Sequence, residues 1–431
     1  VLIHHTNYDI RTLSLGDAYT LRKNPIAPVI LEPIFTLMPK TCASDMVIVV
    51  DSKNPFLADA LAGVGDVRQL ETPAITNAAL RDVDAVVVRS ETKVGASLLE
   101  GTPVQFVGTA TIGTDHVDLG YLEKCGIGFA SAPGSNANSV AEYVAAALLE
   151  TAARLSISLK EKILGVVGVG NVGSRVVRVG RALGMRVLQN DPPLARTTGD
   201  PVFVPLDAVM EADVLTLHAP LTRAGDDPTF HLFDRERFSR MKRGSILINT
   251  ARGPLVDSKA LHSVLASGHL GGAVLDVWEG EPDIDPVLLD RVLIGTPHIA
   301  GYSFDGKVNA ARMMFDAIVR HFGLGRQWPV SVNMPAPHAG WIDLQAAANA
   351  QEAIRSVIAR CYTIEEDDKR FRTLVRLPDD ARRAEFRRQR GTYRVRREFH
   401  ATRIVSASGK NSIWESLASL GFTMQVSHEE V

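Results

Sequence analysis

The sequence predicts an α/β protein in which parallel sheets are covered by helices, followed by an α+β module. Three observations carry this. Short, continuous apolar runs recur along the chain, and stretches of helical period separate most of them. A Gly-x-Gly-x-x-Gly sequence stands where one apolar run passes into a helix. The 431 residues suffice for two or three domains. With 45% hydrophobic and 22% charged residues, the composition is that of an ordinary globular protein. A net charge of −2 gives the whole molecule no bias toward nucleic acid or a membrane surface, and no apolar run is long enough to span a bilayer. Cys42, Cys125 and Cys361 form neither a disulfide framework nor a metal-spaced cluster. No metal site is therefore expected, and a cytoplasmic location is.

Residues 1–45 hold Pro25, Pro28, Pro33 and Pro39 and show no steady period, so they are expected to be a disordered extension. Glu32 and Pro33 interrupt the apolar stretch around Ile30, which argues against a secretory signal. Regular pattern begins at Met46. Residues 46–51 (MVIVVD) form an uninterrupted apolar run, the mark of a strand buried on both faces. Residues 85–89 and 104–108 read the same way, with a helix over 55–62 among the segments between strands. Residues 138–155 read as a long, mostly apolar helix, buried between two domains. A second series of strands follows at 163–167, 186–189, 214–218, 245–249, 272–277 and 292–295. Its helices include 173–183 and 258–266. Such alternation puts the active crevice at the carboxyl ends of the strands. After about Gly325 the pattern changes, with Pro329, Pro335 and Pro337 marking a connection. The end reads strand over 402–406, helix over 412–420 and strand over 422–426, with Gly421 at the helix stop.

The glycine sequence is Gly168-Val169-Gly170-Asn171-Val172-Gly173. Gly168 permits the tight turn, Gly170 presents no side chain to a pyrophosphate, and Gly173 lets helix and strand pack closely. The helix N-terminus then offers its amides to phosphate. Asp191 ends the next strand, where a carboxylate accepts hydrogen bonds from ribose hydroxyls and repels a 2′-phosphate. The expected cofactor is NAD, in a Rossmann-type doubly wound domain. Arg196 lies near enough in sequence to keep NADP open.

Three residues at strand ends fit the oxidation of a 2-hydroxy acid. Arg252, in Thr250-Ala251-Arg252-Gly253, can hold a carboxylate with its planar fork. His298 can take the hydroxyl proton near neutral pH. Glu281 can orient that imidazole and stabilise its charged form. Glu279 competes with Glu281 for the role, while His218 reads as a satisfied loop histidine.

At these residues the chain resembles the D-isomer-specific 2-hydroxyacid dehydrogenases. The likeness lies in Arg252-Gly253, Val256-Asp257, Leu261, Leu265, Gly268, Gly272-Ala273, Leu275-Asp276-Val277 and Glu281-Pro282, together with His298-Ile299-Ala300-Gly301, and it covers about 46–330. Residues 88–94, 108–118 and 298–302 are similar to members that act on a small phosphorylated 2-hydroxy acid. The resemblance implies substrate contacts at Ser90, Thr111 and Tyr302. It implies an NAD site lined by the glycine loop, Asn171, Val172, Asp191, Ala219, Thr250, Ala251, Arg252, Asp276 and Gly301. It also implies a flavodoxin-like substrate domain over 46–140, completed by about 301–330. An NAD domain over 141–300 and a C-terminal module over 338–431 that joins two subunits would follow.

A substrate phosphate needs further cations, for which Arg89 and Lys93 are candidates. The arginine-rich run 382–397 is a further source of such charge, across a dimer interface, but it reads first as a solvated or interface helix face, and nucleic-acid binding is not expected of it. Two alternatives stay open: another dehydrogenase of the family, and an NAD-sensing binding protein on the same fold.

Overall fold

The structure is a computed structural model that describes residues 46–328, 333–344, 349–406 and 411–426. The expected extension over 1–45 lies outside the described residues. Among the described residues there are three sheets, and every pairing within them is parallel.

The first sheet contains β1 (Val47–Asp51), β2 (Asp66–Leu70), β3 (Ala85–Val88), β4 (Phe106–Thr109) and β5 (Gly128–Ala130), in the order β2-β1-β3-β4-β5. This is the flavodoxin-like order. Its central strands are apolar throughout because both faces are covered: Ile48, Val49 and Val50 are fully buried, as are Val86 and Val87. The helix Phe304–His321 returns to this sheet and packs Met314, Phe315 and Ile318 on the face lined by Ile48, Val50 and Val87.

The second sheet contains β6 (Ile163–Val167), β7 (Arg186–Asn190), β8 (Val214–Leu217), β9 (Ile246–Asn249), β10 (Gly272–Leu275) and β11 (Ile294–Gly295), in the order β11-β10-β9-β8-β6-β7. Strand order reverses beside β6, so the crevice opens between the ends of β6 and β8. The helix Ala137–Leu155 is buried along most of its length. Its alanines let it lie close against the helix Asn171–Ala182.

The third sheet, β12 (Trp341–Asp343), β13 (Arg403–Ser406) and β14 (Thr423–Val426), has the order β12-β13-β14, with the helix Ser412–Ser419 between its last two strands. Phe399 and Phe422 stack beneath it with ring centroids 4.5 Å apart. Between β12 and β13 run the helices Ala350–Cys361, Ile364–Phe371 and Asp379–Gly391, which the sequence pattern did not delimit.

This C-terminal module is fastened to the second sheet. Asp368 accepts the amide of Gly295 at 2.9 Å, so the edge strand β11 is capped rather than left open. Arg372 donates to the carbonyls of Val292 and Leu293 at 2.6 and 3.0 Å. The expectation that 382–397 is a solvated or interface face holds for its exposed arginines and fails at two positions. Arg382 and Arg396 are buried. Arg396 pairs with the buried Glu142 at 2.8 Å, and Arg397 grips Asp305 at 3.0 Å. Arg387, Arg388 and Arg394 stay exposed, while the buried guanidiniums of Arg382 and Arg396 meet acceptors of their own chain.

Candidate active site

The catalytic candidates follow the carboxyl ends of β9, β10 and β11, neighbouring parallel strands, and so share one sheet edge. After β10, the chain turns through a cis Glu281–Pro282 bond. The Glu281 carboxylate accepts from His298 Nδ1 at 2.5 Å and from the Trp278 amide at 3.1 Å. Burial pushes the Glu281 carboxyl up, but the charge and hydrogen bond of His298, then Arg390 and the Trp278 amide, bring it below the ordinary carboxylate range. His298 and Glu281 are each about a quarter exposed, so the imidazole is fixed yet open on one side. Glu279 does not compete: it pairs with His231 at 2.6 Å and accepts the Ser258 amide at 3.1 Å.

The loop that presents His298 is built on Asp276. Its carboxylate accepts from Thr296 Oγ1 at 2.7 Å and from the amides of Ile299 and Ala300 at 2.7 and 2.9 Å. Its carbonyl accepts the His298 amide at 2.7 Å, and His298 takes a left-handed conformation with φ of 57°. Burial raises the Asp276 carboxyl against the pull of His298 and these donors.

Arg252 reaches from β9 toward the first sheet. Its Nε donates to Asp115 at 3.0 Å and its Nη1 to the Ala251 carbonyl at 2.7 Å. Gly113 makes this path possible, because a Cβ there would stand 1.8 Å from Arg252 Nη2. Thr111 hydrogen-bonds Thr109 at 2.8 Å, and Thr109 contacts His116 Nε2 at 3.0 Å. Burial, aided by Arg252 and opposed by Asp115, lowers the His116 pKa. Ser90 is exposed just beyond β3. The Tyr302 hydroxyl accepts from Arg89 Nη2 at 3.5 Å.

The glycine loop fits a dinucleotide. Gly168 has φ of 84°, and a Cβ on it would meet the Ala219 amide nitrogen at 2.6 Å. A Cβ on Gly173 would meet the Gly168 carbonyl at 1.9 Å, whereas one on Gly170 would meet nothing within 4 Å. The open side is where a pyrophosphate can approach backbone. Asp191 accepts the amides of Val169 and Leu194 at 2.8 and 3.0 Å, which ties the end of β7 to the loop and leaves lone pairs for hydroxyls. Asn171 and Val172 open the helix, Ala219 follows β8, and Thr250 and Ala251 follow β9 on the same edge. A Cβ on Gly301 would meet Asn136 Nδ2 at 2.2 Å. Arg196 is engaged by Asp227. Burial pushes His218 down to about 3, which keeps it neutral, and it lies 2.9 Å from Thr216.

Residues 135–300 match the family described as D-isomer specific 2-hydroxyacid dehydrogenase, NAD binding domain, and 334–421 match a domain of unknown function (DUF3410). The erythronate-4-phosphate dehydrogenase of Salinibacter ruber is 44% identical over 86% of this chain and 97% of its own. That of Marinobacter nauticus is 39% identical over 88% of this chain and all of its own. The chain belongs to the erythronate-4-phosphate dehydrogenase family. Solved structures agree with the fold. The NAD-dependent formate dehydrogenase of Staphylococcus aureus in complex with NAD is 26% identical, with a TM-score of 0.55 over 65% of this chain and 97% of its own. The D-lactate dehydrogenase of Aquifex aeolicus complexed with NAD and lactic acid is 28% identical, with a TM-score of 0.54 over 65% of this chain and 96% of its own.

In this member of the erythronate-4-phosphate dehydrogenase family, the sequence reading missed Gly113 and Asp115, which shape and hold Arg252. It also missed Lys307, which flanks Tyr302 together with Arg390. Gly113 and Asp115 stand in the 108–118 stretch and were legible as part of it. Lys307 carries no local signal, whereas Arg390 stands in the arginine-rich run 382–397.

Proposed function

We propose that the chain oxidises 4-phospho-D-erythronate at C2 with NAD as cofactor, in the synthesis of pyridoxal 5′-phosphate. The observation that carries this reading is the His298–Glu281 pair on the same sheet edge as Arg252 and the glycine loop, in a chain so similar to erythronate-4-phosphate dehydrogenases.

Arg252 binds the substrate carboxylate, which takes the place of Asp115 on the guanidinium. His298 accepts the C2 hydroxyl proton at Nε2, because Nδ1 is committed to Glu281. Glu281 stays ionised and stabilises the imidazolium that forms. Ser90, Thr111 and Tyr302 position the rest of the substrate. The glycine loop holds the pyrophosphate, Asp191 the ribose, and Asn171, Val172, Ala219, Thr250, Ala251, Arg252 and Gly301 line the cofactor. Asp276 keeps one acceptor site for the carboxamide, since its donors occupy three of about four. NAD, when bound, supplies the hydride acceptor, and the product is 2-oxo-3-hydroxy-4-phosphobutanoate. Closure of the two α/β units over the site would exclude water.

The same reading has two subunits joined through the C-terminal module. Trp341 and Val395 there are 66% and 69% exposed, an apolar presentation that a dimer would cover. Sedimentation of the full chain tests this, and a monomer at micromolar concentration overturns it. A cytoplasmic location accords with the scattered cysteines, and no described helix is long and apolar enough to cross a membrane.

The deciding experiment follows NADH formation with 4-phospho-D-erythronate, 3-phospho-D-glycerate and D-lactate offered in parallel. Clear preference for the first is the expected result. Preference for either of the others overturns the substrate, and no turnover on any of them overturns the enzymatic reading.

A further inference from the structure

Three cations surround Tyr302, each from a different part of the chain. Arg89 follows β3 and reaches the Tyr302 hydroxyl with Nη2 at 3.5 Å. Lys307 stands in the first turn of the helix Phe304–His321, its Nζ 5.4 Å from the ring centroid. Arg390 ends the helix Asp379–Gly391, its guanidinium carbon 5.9 Å from the same centroid.

None of the three forms an ion pair with a carboxylate among the described residues. The contrast with their neighbours is sharp, since Arg388, Arg394, Arg396 and Arg397 each meet a carboxylate. Nε of Arg390 is buried with no hydrogen-bond partner. Gathering like charges and leaving a buried donor unmade both cost free energy, so an unpaired trio is a site prepared for an anion. The pKa directions agree. Burial and the charge of Arg89 lower Lys307 against the pull of Tyr302, while Arg390, Arg89 and Lys307 bring the buried phenol of Tyr302 below its ordinary value.

The cluster also borders the catalytic pair. Tyr302 lies four residues beyond His298, its amide bonded to the Ile299 carbonyl at 2.8 Å. Arg390 is close enough to Glu281 to stabilise its carboxylate. Lys93, the other cation the sequence offered, is exposed and makes no contact with the group.

We propose that Arg89, Lys307 and Arg390, gathered round Tyr302, form the phosphate subsite, and that the C-terminal module thereby contributes a substrate-binding residue to the site. The ligand is a dianionic phosphate monoester whose carboxylate end lies at Arg252. This rests on the reading of the substrate as a phosphorylated 2-hydroxy acid. Arg390 and Arg89 supply forked donors, Lys307 a point charge, and the Tyr302 hydroxyl a further donor.

The test compares kcat/KM for 4-phospho-D-erythronate and D-erythronate in the full chain and in Lys307→Gln, Arg390→Lys and Arg390→Gln. Inorganic phosphate serves as a competitive probe. Lys307 is solvent-accessible, so its replacement leaves folding intact even if Arg390→Gln does not. We expect wild type to prefer the phosphorylated acid strongly. Lys307→Gln and Arg390→Gln each reduce that preference tenfold or more, about 1.4 kcal/mol, and weaken inhibition by phosphate in parallel. Arg390→Lys recovers part of the loss. If wild type prefers the phosphorylated acid and the variants keep that preference, or lose both acids equally, the subsite is overturned while the substrate reading stands. A wild-type ratio near one overturns the substrate reading itself.

Discussion

Gly113 and Arg252 occupy the same space but for one methyl group: a Cβ at position 113 would stand 1.8 Å from Arg252 Nη2. The guanidinium is the far end of a flexible side chain, so Gly113→Ala can be accommodated by moving Arg252 aside. We expect kcat/KM to fall about tenfold to a hundredfold, because a misplaced clamp costs orientation, with little change in thermal midpoint. Steady-state kinetics beside a melting curve check this. A variant with wild-type kinetics would show that Arg252 is not held against Gly113 during turnover.

Glu281 and Glu279 are separated by one residue and by their partners. Glu281→Gln removes the charge that stabilises the His298 imidazolium, and kcat should fall about a hundredfold or more. Glu279→Gln weakens only the contacts to His231 and Ser258, so kcat should stay within about threefold while stability drops by about 1 kcal/mol. Reversed outcomes in the two variants would exchange their roles.

Asp276→Asn replaces an acceptor of three hydrogen bonds by a group that must also donate. Two backbone amides and Thr296 then compete for one oxygen, and the loop that sets His298 in its left-handed conformation loosens. We expect about 2 kcal/mol or more of lost stability by denaturant unfolding, with kcat falling in step. Unchanged stability would mean that the loop does not depend on this carboxylate.

His400 and Asp305 give stability a pH dependence. The bond to Asp305 raises His400 above its ordinary 6.5 despite burial. That contribution is fully present below 6.5 and is lost as pH rises through the raised value. Asp305 is pulled well below its ordinary 3.8, against its burial, by His400, Arg397 and the Glu398 amide. Its contribution is present above 3.8 and is lost as pH falls through the depressed value. The thermal midpoint should therefore decline from about pH 6 to pH 8, and Asp305→Asn should flatten that slope. An identical slope in the variant would assign it to other groups.

What the sequence disclosed follows burial. β1, β3 and β6 were legible because strands covered on both faces must be apolar throughout. β2, Asp-Val-Arg-Gln-Leu at a sheet edge, was missed because polar residues interrupt its apolar pattern, and β5 because three residues hold no period. The glycine loop was legible because backbone geometry dictates residue type there. Of the phosphate cluster, Arg89 was legible but its meeting with Lys307 and Arg390 was not, since Arg390 reaches Tyr302 only once the helices of the C-terminal module are folded. The arginines of 382–397 misled for the reason Arg396 shows: charge predicts solvent unless a partner such as Glu142, 254 residues away in sequence, is waiting inside.

Asp368 and Arg372 come after the strand end they secure, and Arg396 after the helix it secures. A ribosome therefore delivers the dinucleotide sheet before its fastening. Until those last residues emerge, Gly295 presents an open strand edge and Glu142 has no counterion. Synthesis thus passes through an interval in which the half-made chain is open to pairing with its neighbours.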